Sequence, residues 1–145
     1  MMKYLLIIFS LLLTSVSWSE DGLISLEQYA KENDIKNDIS ASYYFNARCT
    51  SLFVYQSDLM KTPEMRDMKA EFEMAANMFF LKVSDTAKSI KENENWEKQL
   101  KETLISLINV YTKLGNDNYI QKGQYLTQLH LEDTKVCSDF IKNKM

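Results

Sequence analysis

The 145-residue sequence predicts an all-α protein: an up-down-up-down four-helix bundle with a short N-terminal helical arm, preceded by a signal peptide. Three observations point there. Apolar residues recur at a 3.6-residue period through four long stretches. Three glycines and one proline leave little material for turns, so long helices joined by short connections are the natural outcome. No stretch alternates polar and apolar like a strand, and no Asn-Gly hairpin signal competes.

Residues 1–19, MMKYLLIIFSLLLTSVSWS, have the layout of a leader. Lys3 supplies the positive end, residues 5–13 form an apolar run broken only by Ser10, and Ser15, Ser17 and Ser19 are the small residues before a cut. Cleavage is expected after Ser19, with Ser17 the near alternative. The apolar run is shorter than the roughly 20 residues a spanning helix needs. The expectation is therefore a periplasmic or secreted protein, off the membrane after cleavage, with one domain over residues 20–145. Removing the leader takes only Lys3 from the charged set and leaves 16 cations against 20 anions, a net charge of −4. Arg48 and Arg66 are the only arginines. A mildly acidic, arginine-poor chain without a basic run lacks the footprint of nucleic-acid binding.

Along the chain, residues 23–35 read as a short helical arm. The first long stretch, 38–61, places Phe45, Cys49, Leu52, Phe53, Gln56, Leu59 and Met60 on one face, with Tyr44, Arg48 and Tyr55 on the other. The second, to residue 90, opens on Thr62 as a cap, Pro63 at the first helical position and Glu64 at the positive end of the dipole. Its row is Met65, Met68, Phe72, Ala76, Phe79, Val83, Ala87 and Ile90. A third helix starts at Asn95 with the row Trp96, Leu100, Leu104, Leu107, Tyr111 and Leu114. Gly115 is expected to end it, with residues 115–118 as a loop. The last stretch, 119–142, carries Tyr119, Gly123, Leu126, Leu129, His130, Asp133, Val136, Cys137, Phe140 and Ile141 on one side.

The two cysteines, Cys49 and Cys137, fall on the apolar faces of the first and last long helices. In the predicted topology those helices are antiparallel neighbours, and the cysteines come within about 7 Å of the same level at 1.5 Å rise per residue. A disulfide follows, as an oxidising compartment favours. Closing its 88-residue loop is worth about 4.6 kcal/mol by chain entropy, with about 2–4 more typical.

Catalytic signatures are missing. There is no glycine-rich phosphate loop, no G-x-S-x-G, no H-E-x-x-H and no C-x-x-C. One histidine leaves neither zinc nor a di-iron centre a ligand set. No enzymatic activity, metal or cofactor is expected. His130 and Asp133, three residues apart, are read as a polar notch in the core, bonded to each other or to backbone. Met74, Met78, Phe80 and Leu81 form a second apolar stripe opposite the core row of the second helix, which must bury against something or stay exposed. Methionine suits adaptable binding. The expected function is thus a non-enzymatic interaction module whose stripe meets another protein or a second copy of the chain. The rival covering is the arm folding over the stripe. The alternative function is a ligand- or cofactor-binding bundle centred on His130, for example with haem held non-covalently between His130 and Met60.

Overall fold

The computed structural model describes residues 22–90 and 95–143. The expected signal peptide lies outside the described residues. The elements are α1 (Leu26–Glu32), α2 (Ile39–Leu59), a single 3-10 turn (Pro63–Met65), α3 (Arg66–Ile90), α4 (Trp96–Lys122) and α5 (Gln128–Lys142), with no strand among the described residues. Ser25 caps α1 by accepting from the Gln28 N–H, and Asp38 caps α2 through Ala41 N–H. Thr62 stands at the predicted start of the second stretch, but its side chain makes no capping bond. Pro63 opens the 3-10 turn that leads into α3.

Helix α2 is the axis of the molecule. Phe53 and Phe45 meet Phe72 and Phe79, so α3 runs antiparallel to it. Tyr43 and Ser51 bond Thr103 and Leu104 in the same order, so α4 runs parallel. Phe45 and Gln56 meet Phe140 and Thr134, so α5 runs antiparallel. Three helices packed on one leave the middle of α2 little solvent face, while Ile39, Ser40 and Asp58 at its ends stay exposed. Its buried set runs almost unbroken over positions 45–53.

A single apolar stripe does not predict such burial. The remaining faces of α2 are buried because their residues are small and satisfy themselves. Thr50 Oγ1 donates to the Asn46 carbonyl at 2.8 Å, Ser57 Oγ to Val54 at 2.9 Å and Asn46 Nδ2 to Ser42 at 2.7 Å. Arg48 and Tyr55, expected on the outer side of this helix, are buried. Burial of hydroxyls and amide nitrogens is tolerable once each has a partner, although the amide oxygens Asn46 Oδ1 and Gln56 Oε1 are buried without one.

The core has two lobes. Phe45, Leu52, Phe53, Phe79 and Tyr111 centre one around the Cys49–Cys137 disulfide, whose Cα atoms are 5.8 Å apart. Ala47, Val83, Ala87, Leu100 and Leu107 form the other. The ends of the expected α3 row, Met65, Met68 and Ile90, are exposed.

The expected turn at residues 115–118 does not exist. Helix α4 continues through Gly115 to Lys122 and ends on Gly123, whose φ of 70° is the left-handed conformation expected about two turns too early. Gly115 serves a different need. A Cβ there would lie 1.8 Å from the Tyr55 hydroxyl and 2.6 Å from the Tyr125 carbonyl oxygen. Glycine is required by close approach, because Tyr55 crosses α4 at that point to donate to Tyr125 at 2.8 Å. Helix α5 therefore starts late, at Thr127, which forms a capping box with His130.

Glycine inside a helix ordinarily costs about 0.5–1 kcal/mol relative to alanine. Gly115→Ala is expected to reverse that sign and destabilise by about 1–3 kcal/mol through overpacking. Scanning calorimetry of Gly115→Ala with and without Tyr55→Phe checks the cause, because a melting temperature equal to or above wild type in the single variant contradicts it.

Candidate functional site

Two features stand out, one internal and one on the surface. The internal one is built on Asp133, fully buried on α5. Its Oδ1 accepts from the backbone N–H of Leu26 at 2.7 Å, and its Oδ2 from Tyr111 Oη at 2.7 Å. Arg48 Nη2 donates to the same Oδ2. Arg48, 0% exposed, also donates from Nη1 to the Ile24 carbonyl at 2.6 Å and from Nε to Tyr111 at 3.1 Å. Each guanidinium nitrogen and each carboxylate oxygen thus has a partner, as a buried charge pair requires. Burial alone would lower the Arg48 guanidinium, but the oxygens of Tyr111, Asp133 and Tyr44 outweigh it and hold it above the usual arginine value. Burial pushes the Tyr111 phenol well above its usual value, opposed by Arg48 and reinforced by Asp133.

His130 and Asp133 share the face of α5 expected of them, both fully buried, but each has its own partners. His130 Nδ1 accepts from the Thr127 N–H at 2.9 Å, so Nε2 carries the proton and donates to the Tyr111 carbonyl at 3.0 Å. The ring lies between Tyr55 and Tyr111, with centroids 5.1 and 5.4 Å away. Both ring nitrogens are thus engaged by the protein, in a capping role that leaves no open position toward Met60. Arg48 is the site residue that helical periodicity places on the outer side of α2. One signal for it was available: a rare arginine directly beside a buried cysteine.

The surface feature lies on α3 and α4. Both rest on α2 but touch each other sparingly. Met74 is 66% exposed, Leu81 57% and Phe80 41%, while Met78 is half-buried. The arm does not cover them. Helix α1 docks on α5, Tyr29 packs on Tyr44 at 4.7 Å, and Leu23 and Ile35 pack against the core. Beside the stripe, α3 and α4 enclose a furrow of about 620 Å³ walled by Phe80, Leu81, Trp96 and Ile105 over a floor of Leu100 and Leu104. Met74 and Met78 stand outside it. Trp96 and Leu104 belonged to the expected core row. Ile105 did not, and its place one residue after Leu104 gave no periodic signal.

No helix among the described residues is long and apolar enough to cross a membrane, and those residues hold no cluster of three or more potential metal ligands. Comparison of the chain with protein-family models, curated proteins and solved structures gave no match.

Removing one member of the internal pair strands the other. Arg48→Met is expected to cost about 3–5 kcal/mol and the double variant with Asp133→Leu much less. Urea midpoints test this, and equal losses for the single and double variants would refute it. Burial, with Tyr125 adding to it, pushes the Tyr55 phenol up to about 12 from 10.0. Its folded pKa is raised, so this stabilisation is complete below about pH 10 and lost as pH rises through about 12. Tyr55→Phe should flatten the alkaline fall in melting temperature across that window. An unchanged alkaline slope would contradict the assignment.

Proposed function

We propose that this is an exported, non-enzymatic interaction protein that engages a partner protein through the outer face of α3, formed by Met74, Met78, Phe80 and Leu81. The observation that carries the reading is the exposure of Met74 and Leu81 while the arm, the segment best placed to cover them, docks on α5. A helix docked on one side needs one apolar stripe, and a second one beside an open furrow is surface that water does not favour. Thioether side chains adapt to partners of differing shape. The disulfide supports an oxidising compartment. The finer description of the fold, an up-down-up-down bundle behind a cleaved signal peptide, belongs to the same proposal.

Both contact residues project into solvent, so Met74→Asp/Leu81→Asp is expected to keep the wild-type melting temperature within a few degrees. It should abolish co-purification of cross-linked partners from the native exported fraction. A homodimer through the same face would appear as a change in sedimentation coefficient instead. A double variant that keeps both its cross-linked partners and its sedimentation behaviour would reject the face.

A further inference from the structure

The furrow between α3 and α4 has a polarity that the neighbouring methionine stripe lacks. Going down α3 from Lys88 through Ser84 to Leu81 and Phe80 is also going up α4 from Trp96 and Glu97 through Leu100 and Lys101 to Leu104 and Ile105. All of these residues line the furrow. Lys88 and Glu97 sit at the end nearest the start of α4, Lys101 near the middle, and the lining at the far end, Phe80, Leu81, Leu104 and Ile105, is apolar. Lys88 Nζ lies 5.2 Å from the centre of the Trp96 ring, which keeps an ammonium at the mouth. Among the described lining residues two cations, Lys88 and Lys101, face one anion, Glu97. Eight helical residues separate Lys88 from Phe80, so the trough is about 12 Å long. Ser84 keeps its middle wide, where a larger side chain would fill it.

We propose that this furrow binds a single-chain fatty carboxylate, its tail lying on Leu100 and Leu104 toward Phe80 and Ile105 and its head meeting Lys88 and Lys101. A volume of about 620 Å³ falls in the range of small-molecule sites, about 300–1,000 Å³, which are apolar troughs with a few polar groups fixing orientation. A trough of little more than two helical turns is short for a docked helix. A polar ligand would leave its own groups unpaired along the apolar end. Lysine stems add apolar wall while their heads stay in water. The site goes beyond the partner-binding reading: it shares Phe80 and Leu81 with that face but not Met74.

The test uses the full chain carrying Trp18→Phe, so that Trp96 alone reports, titrated below micellar concentration with laurate and with dodecyltrimethylammonium. Laurate should bind one per chain with a saturable shift of Trp96 emission, confirmed by calorimetry. The cationic amphiphile should bind about fivefold more weakly, as two exposed charge contacts allow. Lys88→Glu/Lys101→Glu should invert that order. Ser84→Trp fills the trough and Ile105→Asp charges its apolar end from an exposed position, so both should remove binding, whereas Met74→Asp should leave it unchanged. No saturable laurate signal, equal affinity for the two amphiphiles, or wild-type affinity in Ile105→Asp would each overturn the proposal. Partner capture measured on the same Met74→Asp chain reports on the other face separately.

Discussion

The contact on which most of this structure depends is the buried pair of Arg48 and Asp133. Through it four separate pieces of chain converge: α2 supplies the guanidinium, α5 the carboxylate, α4 the Tyr111 hydroxyl, and the entry to α1 a backbone carbonyl at Ile24 and an N–H at Leu26. An ion pair stripped of water repays its desolvation only when the spare donors and acceptors are also met. Here the arm meets them. Residues 24–26 complete the polar shell of the core and hold α1 against α5, away from α3.

Beside this pair runs the covalent one. Cys49 follows Arg48 directly, and Cys137 lies one turn beyond Asp133 on the same face of α5. The α2–α5 seam is thus held twice over, by a bond that limits the unfolded chain and by charges that reward one register. With α5 fixed to one side of α2 and α3 and α4 spread over the rest, the last two have little reason to close on each other. The open furrow and the exposed stripe follow from that crowding around the axis. The surface proposed for function is a by-product of how the interior is solved.

Neither the capping bond expected of Thr62 nor the helix end expected at Gly115 is found, whereas helix content, the long periodic stretches and the cysteine pairing were legible in the sequence. These rest on period, end signals and compartment, which are local or compositional properties. The centrality of α2 was not, because Asn46, Thr50, Ser51 and Ser57 look like a solvated face until their bonds to nearby carbonyls are seen. Gly115 was misread for a related reason: a glycine after a leucine row signals a helix end, and nothing nearby announces a tyrosine arriving from 60 residues earlier. His130 and Asp133 were found as buried polar residues, but their partners lie 19 and 85 positions away and no spacing rule reaches that far. The stripe on α3 was visible because a helix with two apolar faces breaks its own pattern. The furrow was not, since half of it belongs to α4.

A helix enclosed through its middle shapes how such a chain can drift over evolutionary time. Ser51 meets the backbone of α4 at Leu104, and Thr50 and Ala47 are equally buried, so an enlargement at any of them has little room to tilt outward. The outer residues of α3, by contrast, constrain nothing inside. Divergent descendants would keep the 41–57 segment nearly frozen while their outward surfaces changed with whatever they meet. Ancestry, if it is to be traced, would survive in a stretch that is mostly hidden from solvent and performs none of the chemistry.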